Sequence, residues 1–444
     1  MNCNKWITDT LENICEKIFS GGTPNTQEAS FWNGKYSWLS SGETRNQFIF
    51  KTDKTITEKG IEKSSTRLAK KGDIVIASAG QGHTRGQVSY LEIDTYINQS
   101  VISIRAKPEI ISSMWLFYNL SSRYGEMRRL SDSHSSRGSL TTSMLKKMLV
   151  KFPSLISQIK IVQILEPLDK KIELNKKINQ TLESIAQAIF KSWFVDFDPV
   201  HAKANAHSED EYDAIAKELG IPTQILDLFP SEFEESELGL IPKGWKVGVL
   251  GDCCVGVETG GTPKRNRPEY WNGKIDWLTS SEVKNSIVHE TKEKITEIGL
   301  KESSAKIWPP GTTVVAMYGA TAGAVCLLAA PIATNQACCG LIPKREKKSF
   351  VFLNTRIESN NLASKSTGSA QQNLNKGLVA NHKIILPSES LFTQFEEIVS
   401  PILDKWVLFD RESKSLECLR ELLLPKLLSG EIDVSNLNLE PEDD

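Results

Sequence analysis

The sequence predicts an α+β chain: two tandem modules rich in short strands, each followed by a long helix, with the two helices packed on one another. Three observations lead there. The two halves of the chain match residue for residue at a nearly fixed offset. The matched residues are mostly glycine, proline, Asn-Gly and tryptophan, the formers of turns and small cores. After each module the apolar spacing changes from strand-like runs to a three-four helical period.

At an offset of 239, Trp6 matches Trp245 and Leu11 matches Leu250. Gly21-Gly22-Thr23-Pro24 falls on Gly260-Gly261-Thr262-Pro263, and Phe31-Trp32-Asn33-Gly34-Lys35 on Tyr270-Trp271-Asn272-Gly273-Lys274. Trp38-Leu39 meets Trp277-Leu278, Glu43 meets Glu282, and Ile56-Thr57-Glu58 meets Ile295-Thr296-Glu297. Gly72 and Gly80 land on Gly311 and Gly319. After a two-residue slip Gly86 matches Gly323 and Asn98-Gln99 matches Asn335-Gln336; Leu140 and Pro153 meet Leu374 and Pro387 at an offset of 234. Both Asn-Gly pairs read as hairpin turns. Ile74 to Ala77 and Thr313 to Ala316 read as strands, each entered through a glycine turn, and a helix is expected around 112–120. Gly-Gly-Thr-Pro has neither the lysine of a phosphate loop nor the spacing of a dinucleotide turn, so it reads as a tight turn.

From Ile161 the apolar positions run Leu165, Leu168, Ile172, Ile178, Leu182, Ile185 and Ile189, with Asn175 on the seam. The second run is Phe395, Val399, Ile402, Trp406, Phe409, Leu416, Leu419 and Leu423, with Ser413 on the seam. Pro401 is expected to kink that helix and Pro425 to distort or end it. Each helix spans roughly 30 to 40 residues, or about 45 to 60 Å. Leu168, Ile172, Leu182, Trp406, Phe409 and Leu416 are the expected spacer seam. Between the first helix and the second module lies an ordered connector. It holds Asp196-Phe197-Asp198-Pro199 as a helix-terminating turn and an acidic short helix around 209–219.

Composition excludes several classes. No run of 18 apolar residues exists to span a membrane, and the polar start, Met1 to Thr8, has no secretory stretch, so a cytoplasmic location is expected. Eight cysteines in 444 residues are too sparse for a disulfide scaffold, and Cys253-Cys254 and Cys338-Cys339 read as apolar packing. No metal site, hydrolase motif, phosphate loop or methyltransferase pocket is found, so no catalytic residue is expected. The net charge of −2 is divided unevenly. Residues 1–150 carry 20 Lys and Arg against 14 Asp and Glu, a net of +6, and 244–387 carry 18 against 11, a net of +7. Residues 196–243 and 388–444 each carry −9. Two basic blocks separated by an acidic one fit modules that meet an anionic polymer, and duplex DNA is the natural candidate.

In order, these motifs resemble the specificity subunit of type I restriction–modification enzymes. The resemblance rests on both Gly-Gly-Thr-Pro elements, the Trp-Asn-Gly-Lys-x-x-Trp-Leu stretches at 32–39 and 271–278, and Asn98-Gln99 with Asn335-Gln336. It rests further on Ile189-Phe190-Lys191-Ser192-Trp193-Phe194 with Asp196-Phe197-Asp198-Pro199, on Leu238-Gly239-Leu240-Ile241-Pro242-Lys243-Gly244-Trp245, and on Leu424-Pro425-Lys426-Leu427-Leu428-Ser429-Gly430. The family implies that 1–154 and 244–387 are target recognition domains, each reading one half of a split, asymmetric DNA sequence. It implies that 155–195 and 388–430 are spacer helices packed antiparallel, which set the unread gap and dock partner subunits. Residues 196–243 are then the connector and 431–444 an acidic tail. Two modification subunits would bring S-adenosylmethionine, and two restriction subunits would bring ATP and Mg; the chain itself would need no cofactor. The other class of function open to a repeat protein is a scaffold that binds proteins rather than DNA, and steep salt sensitivity separates the two.

Candidate DNA-binding residues follow from position and chemistry. In the first module they are Gln81, His83, Thr84 and Arg85 of the Gly80–Gly86 loop, with Arg128, Arg129, His134 and Arg137 as a second cluster. In the second they are Lys264, Arg265, Arg267 and Thr321, then Lys344, Arg345, Lys347 and Lys348, with Lys365, Gln371 and Gln372 behind them. Asn98 and Asn335 read instead as internal caps. Lys and Arg meet phosphates, while Arg, Lys, Asn and Gln read base edges.

Overall fold

The computed structural model describes residues 6–80, 82–132, 138–206, 208–284, 287–364 and 374–437. Within them each module builds the same three sheets. The first module has a five-stranded sheet in the order Cys15–Ser20, Val101–Ala106, Ile74–Ala77, Val88–Leu91 and Phe48–Ile49. Its four-stranded sheet runs Lys54–Ile56, Trp32–Leu39, Thr95–Ile97 and Arg67–Ala69, and Ile7–Thr10 pairs with Leu149–Phe152. The second module repeats this order. Cys254–Thr259, Cys338–Pro343, Thr313–Ala316, Val325–Leu328 and Ile287–Val288 form the larger sheet. Glu293–Ile295, Trp271–Leu278, Ile332–Thr334 and Ile307–Trp308 form the smaller, and Lys246–Val249 pairs with Lys383–Leu386.

The middle strand shows why the runs are apolar on both faces. Ile74 and Ile76 enter the core shared with the helix Ser113–Ser121, whereas Val75 enters the core beneath Leu39 and Ile97. A strand covered on both sides carries no polar alternation. Its twin Thr313–Ala316 sends Val315 one way and Val314 with Ala316 the other. The buried cysteines belong to this packing; burial pushes the Cys253 thiol up to about 11 and the Cys15 thiol up to about 12.

The Asn-Gly pairs are not hairpin turns. Asn33 and Gly34 lie inside the strand Trp32–Leu39, and both Trp32 and Tyr36 oppose Ile56. The intervening residues form a bulge, repeated where Trp271 and Ile275 both oppose Ile295. Asn33 and Asn272 each take φ 59°, and a Cβ on Gly34 would come within 2.5 Å of the Ile56 carbonyl oxygen. A bulge and a hairpin both require positive φ next to a residue without a side chain, so the dipeptide fits either.

The chain divides into two compact units that do not follow chain order: Met1–Ile172 with Ser415–Asp444, and Glu173–Lys414. The first holds the first module, the start of a central helix (Leu155–Phe194) and the end of a distal helix (Glu389–Ser429). The second holds the rest of both helices, the connector and the second module. Inside each unit the helices pack antiparallel. In the first, Ile161 and Leu165 share a core with Leu427, and Asp169 pairs with Arg420 at 2.7 Å. In the second, Phe190, Trp193 and Phe194 surround Phe395 with ring centroids 5.9, 5.7 and 4.9 Å away. The connector closes over this cluster through Phe229, and the start of the second module through Trp245.

The seam differs in detail from the expected stripe. Ile172 and Trp406 are buried, while Leu168, Leu182, Phe409 and Leu416 are half-buried. Ile185 and Leu419 point to solvent. Three-four steps from Ile172 pass through Asn175, Asn179, Leu182 and Ala186, so Ile185 sits about 100° off the seam. Polar residues occupy the gaps: Asp169, Asn175 and Ser413 are all buried. Nor do the prolines end the distal helix, which runs through Pro401 and Pro425 to Ser429. Pro167 stands in the central helix at the repeat position of Pro401. All three prolines are exposed, so a carbonyl released from the ladder is open to water, and packing on the opposite face holds the helix.

The Asp169–Arg420 joint is the polar centre of the first unit. Asp169 accepts from Tyr118 Oη at 2.7 Å and from Arg420 Nη1 at 2.7 Å, and Arg420 also donates to Gln47 Oε1 at 2.7 Å. The Asp169 carboxylate is 2% exposed, and burial beside it pushes the Tyr118 hydroxyl far above its ordinary range. Arg420→Ala is expected to destabilise the first unit by about 3–5 kcal/mol, because a buried carboxylate loses its cation. Asp169→Leu combined with Arg420→Ala is expected to recover most of that loss in urea unfolding. If the double variant is no more stable than Arg420→Ala, the charge pair is not the source of the effect.

Candidate nucleic-acid interface

In both modules the repeated motifs meet at one end of the five-stranded sheet. Ser20 pairs with Ile102 and Val101 with Ala77, so three connections leave the same edge: the turn after Ser20, the loop after Ala77 and the approach to Val101. These are Gly21-Gly22-Thr23-Pro24, residues 78–87 and Asn98-Gln99. The second module matches, with Thr259 paired to Cys339 and Ala316 to Cys338.

The Gly-Gly-Thr-Pro turn is bound from within. Gly22 N–H donates to the Ile97 carbonyl at 3.0 Å, and Gly261 N–H donates to the Thr334 carbonyl at 2.8 Å. A Cβ on Gly21 would lie 1.8 Å from the Ile97 oxygen, so backbone approach is what these glycines supply. Thr23 donates to the Gln99 side chain, and Thr262 to that of Gln336. Asn98 and Asn335 accept from the backbone N–H two residues on, at 2.9 and 3.1 Å, as the internal caps the sequence suggests. The turn holds the floor of this end, and the loop rising beside it carries the residues that vary.

In the first module that loop is braced by the helix Tyr124–Asp132. Tyr124 Oη donates to the His83 carbonyl at 3.0 Å and Arg128 Nη1 to the Gly82 carbonyl at 2.8 Å. One turn further on, Asp132 pairs with Arg85. Positions 124, 128 and 132 share a helix face, so one helix grips three successive points of the loop. Arg85 is 7% exposed and enclosed by Gly138, where a Cβ would overlap its guanidinium. Its place is beneath the loop, whereas His83 and Arg129 are exposed and Thr84 and Arg128 half-exposed. Gln81, His134 and Arg137 lie outside the described residues.

The second module braces a shorter loop in the same way. Ser359, on the helix Ser359–Ser364, donates to the Gly323 carbonyl at 2.8 Å. Thr321 is half-buried, its hydroxyl 3.4 Å from the Tyr318 carbonyl, and Tyr318 is exposed beside it. Lys264, Arg265 and Arg267 follow directly on the Gly-Gly-Thr-Pro turn and are all exposed. Arg267 pairs with Glu269 at 3.1 Å.

Arg265 lies over Trp271, 3.8 Å from the ring centroid, and donates to Glu293, one bond at 2.9 Å. Those hydrogen bonds hold the Glu293 carboxyl below its usual range. In the first module the matching tryptophan, Trp32, carries Lys54 at 5.7 Å. Lys54 stands at the repeat position of Glu293 and Thr26 at that of Arg265. Each module therefore places a cation on the same ring, from a strand in the first (Lys54) and from the turn after Gly-Gly-Thr-Pro in the second (Arg265). The ring pairs themselves coincide: Trp32–Trp38 and Trp271–Trp277 both meet edge to face at 5.0 Å and 87°. Sequence matching found the tryptophans but not the exchanged cation, which becomes visible only when 26 and 54 are brought together.

The remaining basic run divides. Lys344 and Arg345 are exposed, but they follow Pro343, at the end of the sheet opposite the Gly319–Gly323 loop. Lys347 is buried against Phe392 and pairs with Glu389 at 2.7 Å, and Lys348 reaches Ser400 and Asp404 at 2.9 and 3.2 Å. Both tie the second module to the distal helix. Lys365, Gln371 and Gln372 lie outside the described residues. Among the described residues no cluster of three His, Cys, Asp or Glu groups is placed to hold a metal, and no helix is long and apolar enough to cross a membrane.

Removing the brace tests this geometry. Tyr124→Phe with Arg128→Ala is expected to speed amide exchange across 82–88 several-fold while leaving 74–77 protected, since each lost bond contributes about 0.5–1.5 kcal/mol. Unchanged exchange in the loop would show that the helix does not hold it.

Residues 4–184 and 242–401 match the family model described as the type I restriction modification DNA specificity domain. The type I restriction enzyme HindI specificity subunit of Haemophilus influenzae is 30% identical over 420 residues, covering 84% of this chain and 89% of that one. The MjaIX specificity subunit of Methanocaldococcus jannaschii is 26% identical over 442 residues, covering 97% and 94%. Among solved structures, the S subunit of a type I restriction-modification system from M. genitalium shares the fold, with a TM-score of 0.60 at 15% identity, covering 96% of this chain and 97% of that one.

Proposed function

The chain belongs to the type I restriction–modification DNA specificity family, and from that premise we propose that its two modules read the two halves of a split, asymmetric duplex sequence. It is a non-catalytic DNA specificity subunit. The observation that carries the two-reader proposal is the contrast between scaffold and loop. Strand order, the Gly-Gly-Thr-Pro turn, the tryptophan pair and the Asn-Gln caps coincide in the two modules. The loops raised from the same sheet end, 80–86 and 319–323, differ in length and chemistry. A reader of two unlike sequences needs one scaffold twice and two different surfaces.

On this reading His83, Thr84, Arg128 and Arg129 face DNA in the first module, with Arg85 as a buried support. Lys264, Arg267, Thr321 and Tyr318 face it in the second, with Arg265 fixed over Trp271. The basic side chains meet phosphates and set orientation; the hydroxyl and imidazole groups reach base edges. Lys347 and Lys348 are assigned to module–helix attachment rather than to DNA. The spacer helices set the unread gap and dock two modification subunits, which use S-adenosylmethionine; two restriction subunits bring ATP and Mg to the full complex.

Methylome sequencing of cells with and without the gene tests the class: a bipartite methylated motif should vanish with the gene, and an unchanged methylome would refute the reading. In shift assays with the assembled complex, Arg129→Ala is expected to weaken binding to every sequence and to lower the log–log salt slope by about 0.9. His83→Ala is expected to relax preference within one half of the motif only, and Thr321→Ala within the other. Equal losses on both halves from either variant would argue against separate readers.

A further inference from the structure

The two helices are repeats of one another, but their seam is polar in a way that the repeat does not share. At the offset of 234 that aligns Pro153 with Pro387 and Pro167 with Pro401, Asp169 corresponds to Leu403 and Arg420 to Ala186. In the first unit Asp169 meets Arg420 at 2.7 Å, whereas Leu403 and Ala186 are both buried in the apolar core of the second unit. A second pair differs in the same sense: Asn175 Nδ2 donates to Glu412 Oε2 at 2.8 Å, and the corresponding residues, Phe409 and Ile178, are apolar and half-buried. Each polar pair thus joins the central helix to the distal helix, and each has an apolar counterpart.

Asn175 is 0% exposed and its Oδ1 takes no partner among the described residues. A buried unpaired carbonyl oxygen weakens the fold, so stability alone does not explain an asparagine there. Buried polar seam residues instead discriminate between partners, because only one alignment satisfies them. The alternative alignment here is pairing of like helices from two chains. If two central helices paired in this register, Asp169 of each would face Ala186 of the other, and Asn175 would face Ile178. Two distal helices would set Arg420 against Leu403 and Glu412 against Phe409. Both homotypic seams bury charge without a counter-charge, twice per pair.

We propose that Asp169–Arg420 and Asn175–Glu412 enforce the pairing of unlike helices within one chain and so prevent two copies from associating through like helices. The consequence for target choice rests on the proposed function: unlike pairing presents two different readers, and like pairing would present the same reader twice. The pairing itself does not depend on that reading.

The test makes the seam symmetric in the full chain with D169L/N175F/E412I/R420A, which gives each polar pair the residues of its counterpart. Tagged and untagged copies are co-expressed, captured on the tag and weighed by light scattering. The unaltered protein is expected at the 49.5 kDa of one chain, with untagged copy below a few per cent of the captured material. The variant, folded by circular dichroism, is expected to bring untagged chain with it at tens of per cent and to show a two-chain mass. A folded variant that captures no more untagged chain than the unaltered protein overturns the proposal, as does an unaltered protein that already captures it freely. Should the fourfold variant fail to fold, D169L/R420A is judged by the same two criteria. Neither measurement involves DNA, so loss of the proposed function would leave this result standing.

Discussion

A helix of 40 residues with one apolar face must bury that face against something, and that constraint organises the molecule. The central and distal helices cover one another, and their ends are covered by the modules. Ile161 and Leu165 close against Leu427 and the first module, and Phe190, Trp193 and Phe194 close against Phe395, the connector and the second module. The first unit therefore does not correspond to a continuous stretch of chain: it is made of Met1–Ile172 and Ser415–Asp444, with Glu173–Lys414 between them in sequence. Each needs the beginning of one helix and the end of the other, so in the first unit Leu427 and Val434 help to build the core that Leu11 begins. Trp6 lies close enough to Gly430 that a Cβ there would approach its ring to 2.9 Å.

The modules obey a second constraint, the close approach of backbones at one sheet end. Gly21, Gly22, Gly260 and Gly261 have no room for a side chain, and the Trp38 and Trp277 indoles donate to the carbonyls of Gly22 and Gly261 at 3.3 and 3.0 Å. With the floor fixed by backbone contacts, the residues above it are free to change. The exchange of Lys54 for Arg265 over the same tryptophan shows that freedom acting in pairs. The cation persists because the ring face attracts it; whether a strand or a turn delivers it does not matter.

Much of the architecture was legible in the sequence because duplication marks itself through residues with geometric duties. Glycine, Asn-Gly, proline and tryptophan recur where the backbone must turn, bulge or pack, and their order gave both modules and both helices. The Asn-Gly bulge was misread because positive φ serves a bulge and a hairpin alike. The seam was read one residue out at Ile185 because an apolar stripe counts leucine and isoleucine, whereas the buried face also holds Asp169, Asn175 and Ala186. The candidate site was less legible. Arg85 and Lys347 have the composition of ligand-binding residues, but their partners, Asp132 and Glu389, are 47 and 42 residues away in sequence. Nothing local distinguishes a cation that meets a phosphate from one that meets a carboxylate across the fold.

That difficulty bears on what a basic module means. A net of +7 over the second module does not measure its DNA-facing charge, because Lys347 and Lys348 are spent on Glu389 and Asp404 of the distal helix, outside the module. The exposed cations assigned to the braced ends are few: Arg129 in the first module, and Lys264 and Arg267 in the second. Such a surface gains little from bulk electrostatics, which is screened over about 8 Å at physiological salt, and more from holding a few groups in fixed places. Fixed placement is the common requirement of the braced loops and the polar seam. A loop selects among base sequences only if its side chains have one position, and two loops define one target only if their helices have one pairing.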